Sequence, residues 1–122
     1  MAKNMEVALL YDYYGELLTD KQRDMIEQYY HQDLSLSEIA ENAGISRQGV
    51  RDSVKRAEVQ LFDMEERIGL VAKMRTIHST LEAMSRYSAA IHTKSEALGA
   101  SEITNDAVRL AELIDALKDR IL

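Results

Sequence analysis

The chain has 122 residues, 46% hydrophobic and 30% charged, which is room for one domain or for a small domain with a helical extension, and not for a second full-sized enzyme domain. With no proline and only five glycines it lacks the punctuation of strands and turns, so the expected class is all-α; with no cysteine it can hold no disulfide, thiolate zinc site or cysteine nucleophile. Net charge is −6, which repels nucleic acid at long range and confines any such binding to a local patch.

The first predicted helix runs from about Glu6 to Leu18, with Val7, Leu10, Tyr14, Leu17 and Leu18 recurring on one face. Thr19 then reads as an N-cap, with Gln22 three residues on completing a capping box. The helix it starts carries Met25, Ile26, Tyr29 and Tyr30 as its buried stripe and stops near His31 to Asp33. Ser35 and Glu38 form a second box, and Leu34 and Ile39 stand at the positions of a hydrophobic staple. Ile39, Ala40 and Ala43 face inward, Gly44 closes the helix, and Ser46 caps the next one. In that next helix Val50, Val54, Ala57 and Leu61 form the apolar face, leaving Arg47, Gln48, Arg51, Asp52 and Lys55 outward.

A different rhythm begins at Leu70. Leu70, Met74, Ile77, Leu81, Met84 and Ile91 follow alternating four- and three-residue steps, broken where Ser88 takes a seam position. After Gly99, Ala100 and Ser101 the heptads resume as Ile103, Ala107, Leu110, Ile114, Leu117 and Ile121. The two seams pair either with each other, as an antiparallel hairpin turning at Gly99, or between two subunits. The expected organisation is a helix-turn-helix domain over residues 1–62 and a helical heptad extension, a dimerisation segment, over 63–122.

A short helix, a glycine turn and a longer helix that opens on exposed Arg, Gln, Arg, Asp and Lys is what major-groove reading requires. The second helix must enter a groove about 12 Å wide with its first side chains at base edges. Arg47 and Gln48 suit those edges, since arginine matches guanine and glutamine matches adenine in two-bonded contacts. Lys55 and Arg56, further along, suit phosphates, and Asp52 can orient an arginine or accept from cytosine. Between Arg47 and Arg56 four bases face that single acid, a basic island in an acidic first half.

The remaining residues point away from chemistry. His31, His78 and His92 are not spaced to share a metal on a helix, and the glycines at 15, 44, 49, 69 and 99 form no phosphate loop. No cofactor, metal or small-molecule substrate is expected, and no catalytic constellation is visible. Tyr11, Tyr13, Tyr14, Tyr29 and Tyr30 are read as packing residues, with Tyr14 and Tyr29 innermost. The longest uncharged apolar run near the amino end, Val7 to Leu10, is far too short for a spanning segment or a signal-peptide core, so a cytoplasmic location without a membrane partner is expected.

The stretch from Leu18 to Leu61, with its Ser-Leu-Ser-Glu-Ile-Ala and Ile-Ser-Arg-Gln blocks, resembles region four of bacterial sigma factors. More closely, Leu18 to Arg56 followed by Met64-Glu65-Glu66 is similar to the small bacterial YlxM (p13-like) family of helix-turn-helix proteins. The resemblance implies a sigma-like bundle in which Arg47, Gln48, Arg51 and Lys55 meet nucleic acid, DNA sooner than RNA. It also implies a role in, or regulating, the signal recognition particle pathway, beside whose genes family members are encoded. Gly49 stands where the pattern has alanine, at up to about 1 kcal/mol of helix propensity. The expected protein is a small non-enzymatic nucleic-acid-binding regulator, dimeric through its heptads. The competing reading is an adaptor of the signal recognition particle or ribosome that keeps the scaffold for a protein partner and no longer reads DNA.

Overall fold

The computed structural model describes residues 3–121; residues 1, 2 and 122, at the outer ends of the two expected segments, lie outside the described residues. Six α-helices and no strand occur among the described residues. The chain divides into two compact units, Met1–Val71 and Ala72–Leu122.

The first unit is assembled on α4 (Arg47–Ile68), against which α1 (Met5–Tyr14), α2 (Asp20–Ile26) and α3 (Leu36–Ala43) all pack. Val50, Val54, Ala57 and Leu61 repeat along one side of α4 and are completely buried. They meet Val7, Leu10 and Tyr14 from α1, Met25 and Ile26 from α2, and Leu36, Ile39 and Ala40 from α3. Both capping boxes form: the Thr19 hydroxyl accepts from Gln22 N at 3.2 Å while Thr19 N donates to Gln22 Oε1 at 3.1 Å, and Ser35 and Glu38 repeat the exchange at 3.1 and 3.2 Å.

Three details depart from the periodic reading, the first being that Ala43, expected to face inward, is exposed in the last turn of α3, where Leu36, Ile39 and Ala40 carry the buried side. The first helix stops at Tyr14 and tightens into a 3₁₀ turn over Gly15–Leu17, which leaves Leu17 exposed while Leu18 is buried. Gly15 sits so close to the Tyr11 ring that an added Cβ would stand 2.9 Å from it, so the turn is packed against its own preceding helix. The second helix widens into a π turn over Glu27–His31, closed by Asp33 at φ +54, a conformation that aspartate tolerates better than most residues. The turn buries Gln28, whose amide donates to Asp24 at 2.9 Å and accepts from Asn42 at 3.2 Å.

Tyr14 ties the end of α4 to the start of α5 (Leu70–Ala97). Its hydroxyl donates to Glu65 Oε1 at 2.6 Å and accepts from Leu70 N at 3.0 Å, and the same Glu65 oxygen accepts from Val71 N at 3.0 Å. Two of the otherwise unpaired N–H groups at the head of α5 are thereby satisfied by side chains. Burial, and then the bond to Glu65, push the Tyr14 pKa up. Burial likewise raises Tyr30, bonded to Glu58, and raises Tyr11 to about 12.

In the second unit α5 turns at Gly99 into α6 (Ser101–Ile121). Leu81, Ser88 and Ser95 are buried on one helix and Ala107 and Ile114 on the other. The Ser88 hydroxyl donates to the Ala107 carbonyl at 3.0 Å, and the Ser95 and Thr104 hydroxyls meet at 2.6 Å. Half-buried Met74, His78, Ser85 and His92 complete the α5 line at alternating three- and four-residue steps. Of the expected seam residues, Leu81, Ala107 and Ile114 lie inside this hairpin, Met74 and Ile121 are half-buried, and Leu70 packs on the core of the first unit. Ile77, Met84, Ile91, Ile103, Leu110 and Leu117 stay between 39% and 51% exposed. The line one residue over wins inside the hairpin because Ser and Ala let two helices approach closely, and the hydroxyls of Ser88 and Ser95 find partners on α6.

Three outcomes are expected. Gly44→Ala, at φ +68, should cost about 1–2 kcal/mol, read as a lower urea midpoint with unchanged slope. Tyr14→Phe, which strips a donor from Glu65 and an acceptor from Leu70, should cost about 1–3 kcal/mol by the same assay. Because an unfolded tyrosine ionises near ~10 and the folded Tyr11, Tyr14 and Tyr30 hold their protons to higher pH, their contribution is complete below ~10 and is lost as pH climbs toward the raised values. Tyrosinate absorbance and loss of helical circular dichroism should therefore rise together above that point.

Candidate nucleic-acid interface

Helices α3 and α4 are joined by Gly44, Ile45 and Ser46. Ile45 N donates back to the Ala40 carbonyl at 3.2 Å, the six-to-one bond of a Schellman ending, and Gly44 supplies the left-handed residue it needs. Ser46 then caps α4 by accepting from Gly49 N at 3.0 Å. A Cβ on residue 49 would stand 3.1 Å from that serine oxygen and 3.6 Å from Ile45, so the glycine that weakens helix propensity also leaves the cap undisturbed.

With Val50, Val54 and Ala57 turned inward, the opposite side of α4 carries the polar residues. Arg47, Gln48, Asp52, Lys55 and Arg56 are exposed and Arg51 is half-buried. Gln48 Nε2 donates to Asp52 Oδ1 at 3.0 Å, and Arg56 Nε reaches the Asp52 carbonyl at 3.4 Å. Asp52 thus orders Gln48 from one turn away. Arg47, Arg51 and Lys55 make no hydrogen bond or ion pair among the described residues, so their donors face solvent and are available to acceptors on a ligand.

The fold adds residues that sequence spacing did not single out. Thr19, Lys21 and Gln22 at the start of α2 share a groove with Ile45, Gly49, Ser53 and Arg56. Lys21 thereby joins the same surface as Arg56, and Ser53 adds a hydroxyl to it. No pattern along the chain links residue 21 to residue 56; only the packing of α2 on α4 does. Among the described residues no group of His, Asp or Glu is arranged to hold a metal ion, and no helix is long and apolar enough to cross a membrane.

A protein-family model described as "Putative helix-turn-helix protein, YlxM / p13 like" matches residues 1–101. A UPF0122 protein of Thermoanaerobacter sp. strain X514 is 51% identical over 80 residues, 66% of this chain and 68% of its own length. One from Caldanaerobacter subterraneus subsp. tengcongensis is 54% identical over 76 residues, covering 62% and 65%. One from Clostridium kluyveri is 35% identical over 105 residues, covering 86% and 95%. The matched span takes in α1 to α4 and the whole of α5, and the chain belongs to the YlxM/p13-like helix-turn-helix family.

Proposed function

We infer that the protein is a non-enzymatic regulator that binds DNA through α4, acts in the cytoplasm in or upon the signal recognition particle pathway, and works as a homodimer held by its second unit. The observation that carries the reading is the α4 surface. A capped helix presents Arg47, Gln48 and Arg51 in its first turns with two of the three unengaged; Lys55 and Arg56 are exposed further along it, and Lys21 lines a groove together with Arg56. Arg47 and Gln48 read base edges, Arg51 joins them, and Asp52 sets the Gln48 amide. Lys55, Arg56 and Lys21 fix position on the backbone.

One observation favours the adaptor reading. The segment 1–71 carries eight Lys and Arg against fourteen Asp and Glu, so the basic helix sits in an acidic surrounding that a basic protein partner would also find. The two readings separate in a gel-shift series at about 50 mM salt with duplex DNA and with signal recognition particle RNA. DNA binding is expected, with Arg47→Ala weakening the preferred sequence by about 1–3 kcal/mol and Lys55→Ala weakening all sequences alike while lowering the salt slope by about one. If neither nucleic acid shifts and a partner protein is still retained after nuclease treatment, the adaptor reading replaces this one.

A further inference from the structure

Gln48 and Asp52 are both exposed on α4, one turn apart, and the hydrogen bond between them bears on which base the helix accepts. Gln48 is the second residue of a capped helix, the place from which a groove-bound helix reaches base edges. A carboxylate only accepts, so it is the amide nitrogen that must face Asp52, and the 3.0 Å contact from Nε2 to Oδ1 fixes which way round the amide stands. The nitrogen engages one of its two N–H groups there. What Gln48 keeps for a ligand is one donor and one acceptor, side by side and in a set order.

An amide so held distinguishes the purines. In the major groove adenine shows an acceptor, N7, beside a donor, the N6 amino group, whereas guanine shows two acceptors, N7 and O6. The remaining N–H of Gln48 matches N7 and its Oε1 matches N6, so adenine receives two hydrogen bonds. Guanine receives one at most and sets O6 against Oε1, two acceptors with no proton between them. A glutamine released from Asp52 can instead turn its nitrogen toward the base and offer both N–H groups, which suits guanine. Thymine shows a single acceptor and cytosine a single donor, so neither engages both groups. Asp52 itself is held within α4, since its Oδ1 accepts from Gln48 and its carbonyl accepts from Arg56 Nε at 3.4 Å.

We propose that Gln48 selects adenine and that Asp52 is the positioning residue behind the selection, excluding guanine by holding one amide N–H; this rests on the reading of α4 as the helix that enters the major groove. On an exposed helix such a pair favours its bonded arrangement by only about two-fold. Against DNA, with water displaced, breaking the bond leaves a carboxylate short of a donor in a medium of lower dielectric, so the bias grows on binding.

The test selects duplexes from a random library with the full chain at about 50 mM salt. Enriched duplexes are expected to share an adenine whose change to guanine weakens binding by about ten-fold in the wild-type protein and not in Gln48→Ala. Replacing that adenine by 7-deazaadenine, which pairs normally and lacks the N7 acceptor, should weaken binding in the same Gln48-dependent way. Asp52→Asn keeps an acceptor for the Gln48 amide and should keep the preference, whereas Asp52→Ala should bring adenine and guanine within about two-fold of each other. Both variants remove the same negative charge, so relief of phosphate repulsion raises their affinity for all sequences alike and does not move the preference. Adenine preference that survives in Asp52→Ala, or is lost equally in Asp52→Asn, overturns the positioning role. Enriched duplexes with no Gln48-dependent adenine overturn the selection and leave α4 a DNA-binding helix, whereas a library with no enriched duplex overturns the reading of α4 and this inference with it.

Discussion

The complete burial of Val50, Val54, Ala57 and Leu61 is the constraint on which the rest of the first unit depends. These positions fix the rotation of α4 about its own axis, and a helix whose rotation is fixed has its opposite side fixed too. Burying four such side chains contributes on the order of several kcal/mol, much more than any surface contact of the arginines could oppose. The direction in which Arg47, Gln48 and Arg51 point is therefore set by the core and not by the polar residues themselves. This is why α4 can present a charged face against the unfavourable propensity of Gly49 and without ion pairs to hold Arg47 and Arg51 in place.

The same helix is pinned a second time at its far end. Glu65, in the last turn of α4, receives hydrogen bonds from Tyr14 of α1 and from the backbone of Val71. A carboxylate at the head of α5 is favoured by the partial positive charge of that helix terminus, and it satisfies donors that the helix cannot satisfy internally. Gly69, at φ +69, supplies the left-handed residue that lets the chain leave α4 and begin α5 one residue later. Tyr14 is completely enclosed, so its hydroxyl must be bonded, and the two bonds it makes are those that join the helices.

Local chemistry made much of this legible in the sequence. Thr19 with Gln22, Ser35 with Glu38, and Ser46 after Gly44 announce three helix starts, because each capping bond spans three residues or fewer and needs nothing from the rest of the fold. The apolar side of α4 was legible for a related reason, since its period is that of a single helix. What escaped depended on distant packing. The π turn after Ile26 buries Gln28, which accepts from Asn42 of α3, and Lys21 meets the Arg56 surface only once α2 lies on α4. In α5 and α6 two heptad lines run side by side, and large residues mark one while serines and alanines mark the other. Hydrophobicity alone favours the first as an interior. Close approach and hydroxyls bonded between the helices, as between Ser88 and the Ala107 carbonyl, favour the second, and the hairpin is built on it.

The uneven charge has a consequence for how the proposed interface responds to salt. The whole −6 belongs to the segment that also carries the basic face, so a duplex approaching α4 meets attraction at contact and repulsion from the surrounding acids at longer range. At about 0.1 M salt the screening length is about 10 Å, which suppresses the distant repulsion more than the contact attraction. Lowering the salt strengthens both terms at once. Binding should therefore rise less steeply on dilution than the number of phosphate contacts would give for a basic protein, and its selectivity should rest on the few side chains within reach of the bases. An acidic body around a basic helix disfavours loose association everywhere on DNA and leaves the close fit at α4 to decide.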